Sequence, residues 1–162
     1  MEGHADQPSA QMMRHNYQML GLNLAISLAI MYFAMFAMIW SWGEFVQNIN
    51  FFYMALLMWA PMAAVMLLTM RSMYRNPKLN AALYAAFAAV FILSWIGIRD
   101  QTLVGDKQFL RSMIPHHSGA ILMCEKAKVN DPEIQSLCAE IIKSQAQEID
   151  QMKNIRNRLA SH

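Results

Sequence analysis

The sequence predicts an all-α protein, with three transmembrane helices followed by a water-exposed helical hairpin. Three observations predict it. Three apolar runs lie between Met19 and Ile98, each near the ~20 residues that cross a bilayer core, and none holds a charged residue. Most of the charge falls after Ile98. Beyond that point the turn Asn130-Asp131-Pro132 separates two stretches whose apolar residues recur at helical spacing. A composition of 56% hydrophobic against 15% charged residues fits a membrane part joined to an exposed one. The expected division is a polar tail over 1–17, a membrane domain over 18–100 and the hairpin over 101–162.

The tail holds His4, Met12, Met13 and His15, and lacks the basic start and small-residue cleavage site of a secretory signal. Met12, His15 and Met19 would share one face if the first helix began early. A net charge of +2, with no basic run interleaved with aromatics, excludes a nucleic-acid partner. Two cysteines are too few for a disulfide framework.

The runs span about Met19 to Trp42, Phe51 to Met70 and Leu79 to Ile98. Asn23 and Ser27, one turn apart in the first, are expected to hydrogen-bond a neighbouring helix, because unsatisfied polar groups are costly in lipid. Pro61 should kink the second run. In the third, Ala81, Ala85 and Ala89 form a small-residue stripe that would let another helix approach closely. The connection after the first run carries only Glu44, whereas Arg71, Arg75 and Lys78 lie in the next. The positive-inside rule makes that second loop cytoplasmic. An inner, plasma-type membrane protein with a cytoplasmic N-terminus and a periplasmic or extracellular hairpin is the expectation.

Sixteen methionines far exceed an ordinary share. Met54, Met58, Met62, Met66 and Met70 recur every four residues, and thioethers are soft ligands that could pass Cu(I) or Ag(I) along a helix. Methionine also fills irregular helix interfaces, and each four-residue step drifts ~40° around the helix, which favours the packing role. Met31, Met35 and Met38 receive the same reading.

In the hairpin, Asp106 is the expected N-cap of a helix running to about Val129. Asp131 should cap a second helix that starts at Pro132 and runs to about Leu159. Pro115 should interrupt the first helix and splay its face. Along that helix Met113, His116, His117, Ala120, Met123 and Cys124 fall in a sector about 120° wide at ~100° per residue. Imidazole, thioether and thiol together make a soft-metal face. The second helix presents Cys138, Ile141, Ile142, Gln145, Glu148, Ile149 and Met152. Folding about the turn sets Met113 against Glu148, His116 against Gln145, Met123 against Cys138 and Phe109 against Met152. A lone two-helix hairpin buries little, so it should pair with a second copy as a four-helix bundle or pack on the membrane helices; a homodimer or higher homo-oligomer is preferred.

Asp106, Phe109, Met113, Ile114, Pro115, His116, His117, Ala120 and Met123, followed by Gln145, Glu148, Ile149 and Met152, resemble the pattern of the domain-of-unknown-function family numbered 305. The resemblance covers about the last sixty residues. It implies a ferritin-like helical fold, often extracytoplasmic, with some members binding copper or silver. On that basis Met113, His116, His117, Met123 and Met152 match ligand positions, with Gln145 and Glu148 as ligands or supporting groups. Cys124 and Cys138 depart from the family pattern and would add soft ligands or form a disulfide, which an external compartment permits.

The function expected is a membrane-anchored copper or silver protein for tolerance, storage or delivery, handling Cu(I) or Cu(II), with membrane lipid and a copper transporter or chaperone as partners. A di-iron oxidase is the enzyme alternative. No Glu-x-x-His occurs in the chain and only Glu148 lies on the ligand stripe, so no catalytic constellation is found. The remaining alternative is a scaffold whose hairpin serves only dimerisation.

Overall fold

The computed structural model describes residues 10–161. His4 therefore lies outside the described residues, as does most of the expected tail. Five α-helices and two short 3-10 turns follow in order: α1 (Ala10–Ala34), turns over Met35–Met38 and Trp42–Glu44, α2 (Ile49–Thr69), α3 (Pro77–Arg99), α4 (Asp106–Lys126) and α5 (Pro132–Ala160). No strand occurs among the described residues. Gln11–Met38, Ile49–Thr69 and Pro77–Arg99 are each long and apolar enough to cross a membrane.

Capping sets most of these bounds. Asn48 accepts from the Phe51 N–H at 2.8 Å to start α2, and Asn76 accepts from the Leu79 N–H at 3.1 Å to start α3 with Pro77 behind it. Asp131 accepts from the N–H groups of Glu133 and Ile134, so α5 begins as its sequence implies. At α4 the cap is Gly105, which makes no side-chain capping bond, and Asp106 stands one place inside the helix, where its carboxylate favours the N-terminal dipole. Helix α4 also stops at Lys126, short of Val129, because Ala127 turns to extended backbone. The assigned helices continue through both Pro61 and Pro115.

Among the apolar helices α2 sits centrally, with α1 and α3 packed against it. Leu20 and Leu24 from α1, Ala60, Ala63 and Leu67 from α2, Tyr74 and Phe87 form their core. Trp59 carries its indole edge-on to Phe87 and donates from Nε1 to the Leu24 carbonyl at 2.8 Å. The small residues that permit close approach are Ala55, Ala60 and Ala63 on α2, together with Gly97 on α3. A Cβ on Gly97 would stand 3.0 Å from the Tyr53 ring. Ala81, Ala85 and Ala89 instead face outward, since α3 turns Phe87, Ser94 and Gly97 inward. Asn23 is also exposed, and Ser27, half-buried, donates from Oγ to Asn23 Oδ1 at 3.3 Å within α1. At the opposite end from the hairpin, Tyr17 on α1 donates to Asn80 Oδ1 on α3 at 2.7 Å and accepts from the Asn76 N–H at 3.2 Å, joining the first helix to the α2–α3 loop and the start of α3.

Helices α4 and α5 form an antiparallel hairpin around Leu110, Ile114, Ile121, Ile149 and Met152. That core is completed by Val46 from the α1–α2 connection. The hairpin therefore packs on its own chain, through the segment that follows α1.

Candidate metal centre

The best-buried polar groups in the hairpin region hold that docking segment in place. Glu44 is 3% exposed. Its Oε2 accepts from the Ser41 N–H at 3.0 Å and from Ser118 Oγ at 3.1 Å, and its Oε1 accepts from Lys153 Nζ at 2.9 Å. Ser118 Oγ in turn accepts from the Trp40 N–H at 2.6 Å, while Trp40 Nε1 donates to Glu125 Oε2 at 2.8 Å. Gly119, beside Ser118, lets the Met38 carbonyl come within 3.4 Å of where a Cβ would stand. Further along α4, Gln108 Oε1 accepts from the Ile49 N–H at 3.3 Å. The linker from α3 is tied to the start of α2, since Asn50 donates to Gln101 Oε1 at 3.0 Å and Tyr53 to the Thr102 carbonyl at 2.8 Å.

Within the hairpin the nine expected site residues separate. His117 turns inward between the helices, with its side chain 13% exposed, whereas its neighbour His116 is exposed. The two rings lie 6.1 Å apart at 58°. His117 Nδ1 stands 3.2 Å from Glu148 Oε2, an ion-pair distance when the ring is protonated, and this buried nitrogen makes no hydrogen bond. Gln145 Oε1, one turn from Glu148 on α5, is likewise buried and unpartnered. Burial pushes the His117 pKa below its ordinary value; the Glu148 carboxylate opposes that shift and His116 adds to it. A neutral imidazole with a free lone pair is the form a metal ion needs.

Met152 lies in the hairpin core at 8% exposure, and Met113 packs against the same core, one turn from His117 toward the apolar helices. Met123 is 57% exposed and stands apart from the inward face. Cys124 and Cys138 are free, half-buried thiols. The neighbouring Cys138 thiol, together with burial, pushes the Cys124 thiol up to about 11.

The facing pairs are thus displaced from simple mirror symmetry about the turn. Glu148 meets His117 where Met113 was expected, and Cys138 meets Cys124 where Met123 was expected. The early end of α4 and the extended segment after it shift the register. Among the described residues no three histidine, cysteine, aspartate or glutamate side chains gather as a ready cluster. What meets across the helices is one imidazole and one carboxylate, with the buried Gln145 amide oxygen one turn from Glu148 along α5 and Met113 and Met152 one turn from His117 and Glu148 on their own helices. The two unpartnered atoms fit a group that accepts electron pairs, which is the test a metal must pass here.

The methionine run of α2 divides between faces. Met54, Met58 and Met70 are exposed, whereas Met62 and Met66 pack against the apolar core. Neither Glu44 nor Ser118 nor Lys153 was marked by the sequence. The available signal was a single acidic residue in an otherwise uncharged connection.

The model of the family described as Domain of unknown function (DUF305) matches residues 98–156. The uncharacterized protein L153 of Acanthamoeba polyphaga mimivirus is 35% identical over 115 residues, 70% of this chain and 74% of that protein. An alignment of that length exceeds everything from Ile98 to the last residue, so the likeness reaches into the apolar helices. No solved structure matches.

Proposed function

The chain belongs to the DUF305 family, and from that premise we propose that it is a membrane-anchored protein that binds copper or silver in its hairpin on the extracytoplasmic side, for tolerance, storage or delivery. The observation that carries this reading is the pair of buried, unpartnered atoms between α4 and α5, His117 Nδ1 and Gln145 Oε1. Leaving two such groups without partners costs about 1–3 kcal/mol each, and a cation there would relieve both. Glu148 supplies charge at the same place, with Met113 and Met152 a turn away. Imidazole and carboxylate suit Cu(II), and thioethers suit Cu(I) or Ag(I). His116, exposed beside His117, would take part in capture from solvent.

The three apolar helices support membrane insertion, and Arg71, Arg75 and Lys78, all exposed at the end away from the hairpin, support a cytoplasmic N-terminus. The hairpin side then faces a periplasm or the cell exterior, where a copper transporter or chaperone would be its partner.

The test is titration of the detergent-purified protein with Cu(I) and Ag(I) under reducing conditions, beside a variant carrying Met113→Ala, His116→Ala and His117→Ala. Loss of at least tenfold in affinity with helicity unchanged supports the reading. Equal binding by both proteins overturns this site, and binding by neither favours the scaffold alternative.

A further inference from the structure

At the end of the molecule away from the hairpin, α1 and the start of α3 border an open cavity of about 440 Å³, lined by Met13, Arg14, Tyr17, Gln18, Asn76 and Leu79. Its walls are tied together. Tyr17 donates to Asn80 Oδ1 at 2.7 Å and accepts from the Asn76 N–H at 3.2 Å, Asn16 donates to the Met73 carbonyl at 3.3 Å, and Asn80 donates to the Tyr74 carbonyl at 2.7 Å. Charge at this end has one sign. Glu44 is the sole acidic residue from Ala10 to Arg99, and it is buried beside the hairpin, whereas Arg14, Arg71, Arg75 and Lys78 are all exposed here. Arg75 and Lys78 bracket the Asn76 wall of the cavity in sequence. Among the described residues no carboxylate pairs with any of the four cations, and Arg14, Gln18 and Asn76 Nδ2 keep donors without partners.

We propose that this cavity holds the phosphate of an anionic phospholipid, with Arg14 as its principal cation. The lipid site rests on the reading of the apolar helices as membrane spans, and on neither the metal reading nor the sidedness. Depth favours a lipid over a soluble anion. The ~20 residues of a bilayer core, counted back along α3 from Arg99, end at Asn80, which places Asn76 and Leu79 at headgroup level. Tyr17, bonded to Asn80, lies at that boundary, where tyrosine is enriched in membrane proteins, and Arg14 lies one turn further out. The lining joins the two chemistries a lipid carries. Guanidinium and amide donors suit phosphate oxygens, while Met13, Leu79 and the Tyr17 ring offer apolar surface to the glycerol and the start of an acyl chain. Leu79 is exposed and begins the uncovered apolar surface of α3, along which that chain would lie. The choline of a zwitterionic lipid would be repelled by the same cations, so an acidic headgroup is preferred.

The experiment takes the full chain, delipidated in detergent, and counts bound lipid by native mass spectrometry during titration with palmitoyl-oleoyl phosphatidylglycerol or palmitoyl-oleoyl phosphatidylcholine. The expected result is saturable binding of a single phosphatidylglycerol per chain, tighter than that of phosphatidylcholine. Arg14→Gln should weaken it by about fivefold, the worth of one interfacial cation, with helicity unchanged. Arg71→Gln removes the same charge from the same end without touching the cavity wall, and should leave the affinity near the wild-type value. Excess inorganic phosphate should not displace the lipid, because it lacks the apolar part. Equal affinity for the two lipids overturns the proposal, as does an Arg71 variant weakened as much as the Arg14 variant. Displacement by phosphate overturns the lipid assignment in favour of a soluble anion. The membrane reading is checked separately by flotation with phosphatidylcholine vesicles after detergent removal. A chain that floats yet shows no lipid preference keeps its spans and loses the site, whereas a chain that does not float loses both.

Discussion

His117 is the residue where burial, charge and helix register meet. Its ring is driven toward the neutral form chiefly by loss of solvent, against the opposing pull of Glu148. The unfolded chain therefore takes up the proton first as pH falls. The stabilisation linked to a neutral His117 is fully present above about pH 6.5 and is lost as pH drops through the lower folded value. The metal-free protein should melt at a lower temperature at pH 5.5 than at pH 7.5, and His117→Ala should flatten that difference. A difference of equal size in the variant would sink the assignment. In the sequence, His117 was legible as one of a pair on a ligand-rich face. Which of the two histidines turns inward was not, because adjacent residues lie 100° apart and the register of the opposing helix decides between them.

At the scale of elements, the five helices were largely readable because their signals are local: long uncharged runs within α1, α2 and α3, and an Asp-Pro cap for α5. The docking of the hairpin was not, because Glu44 and Lys153 are 109 residues apart and nothing near either announces the other. The outward turn of the alanine stripe on α3 was hidden for the same reason. Periodicity defines a face, but the contact between Phe87 and Trp59 on α2 chooses which face turns inward. Lys153→Met keeps the side chain's bulk and leaves the Glu44 carboxylate with only Ser41 and Ser118. Breaking a buried pair costs ~3–5 kcal/mol, and since Lys153 is 30% exposed the expected loss is smaller, about 1–3 kcal/mol. Amide exchange should speed up in α4 and α5 with α2 and α3 unchanged, and adding Glu44→Gln should recover part of the loss. Uniform exchange across all five helices would show that the pair does not govern docking.

For the whole molecule, the apolar helices leave most of their surface uncovered, and Asn23 sits near the middle of the first span on such a surface. Its carboxamide accepts from Ser27 but still has N–H groups to place, which is costly in hydrocarbon. The same amide on a second copy offers both donor and acceptor, so a dimer across α1 is the association expected, with the hairpin already satisfied by its own chain. In lipid nanodiscs the wild type should be dimeric, Asn23→Leu should shift toward monomer and Asn23→Gln should not. A monomeric wild type in the membrane would exclude this contact. The attachments made by Trp40, Glu44 and Lys153 carry a kinetic meaning as well. A hairpin on a slack tether would sweep a hemisphere and meet its acceptor at a concentration set by tether length. One clamped to the first connection samples almost no volume, so exchange of cargo would be governed by how often an acceptor collides with this fixed spot, and by how long it stays.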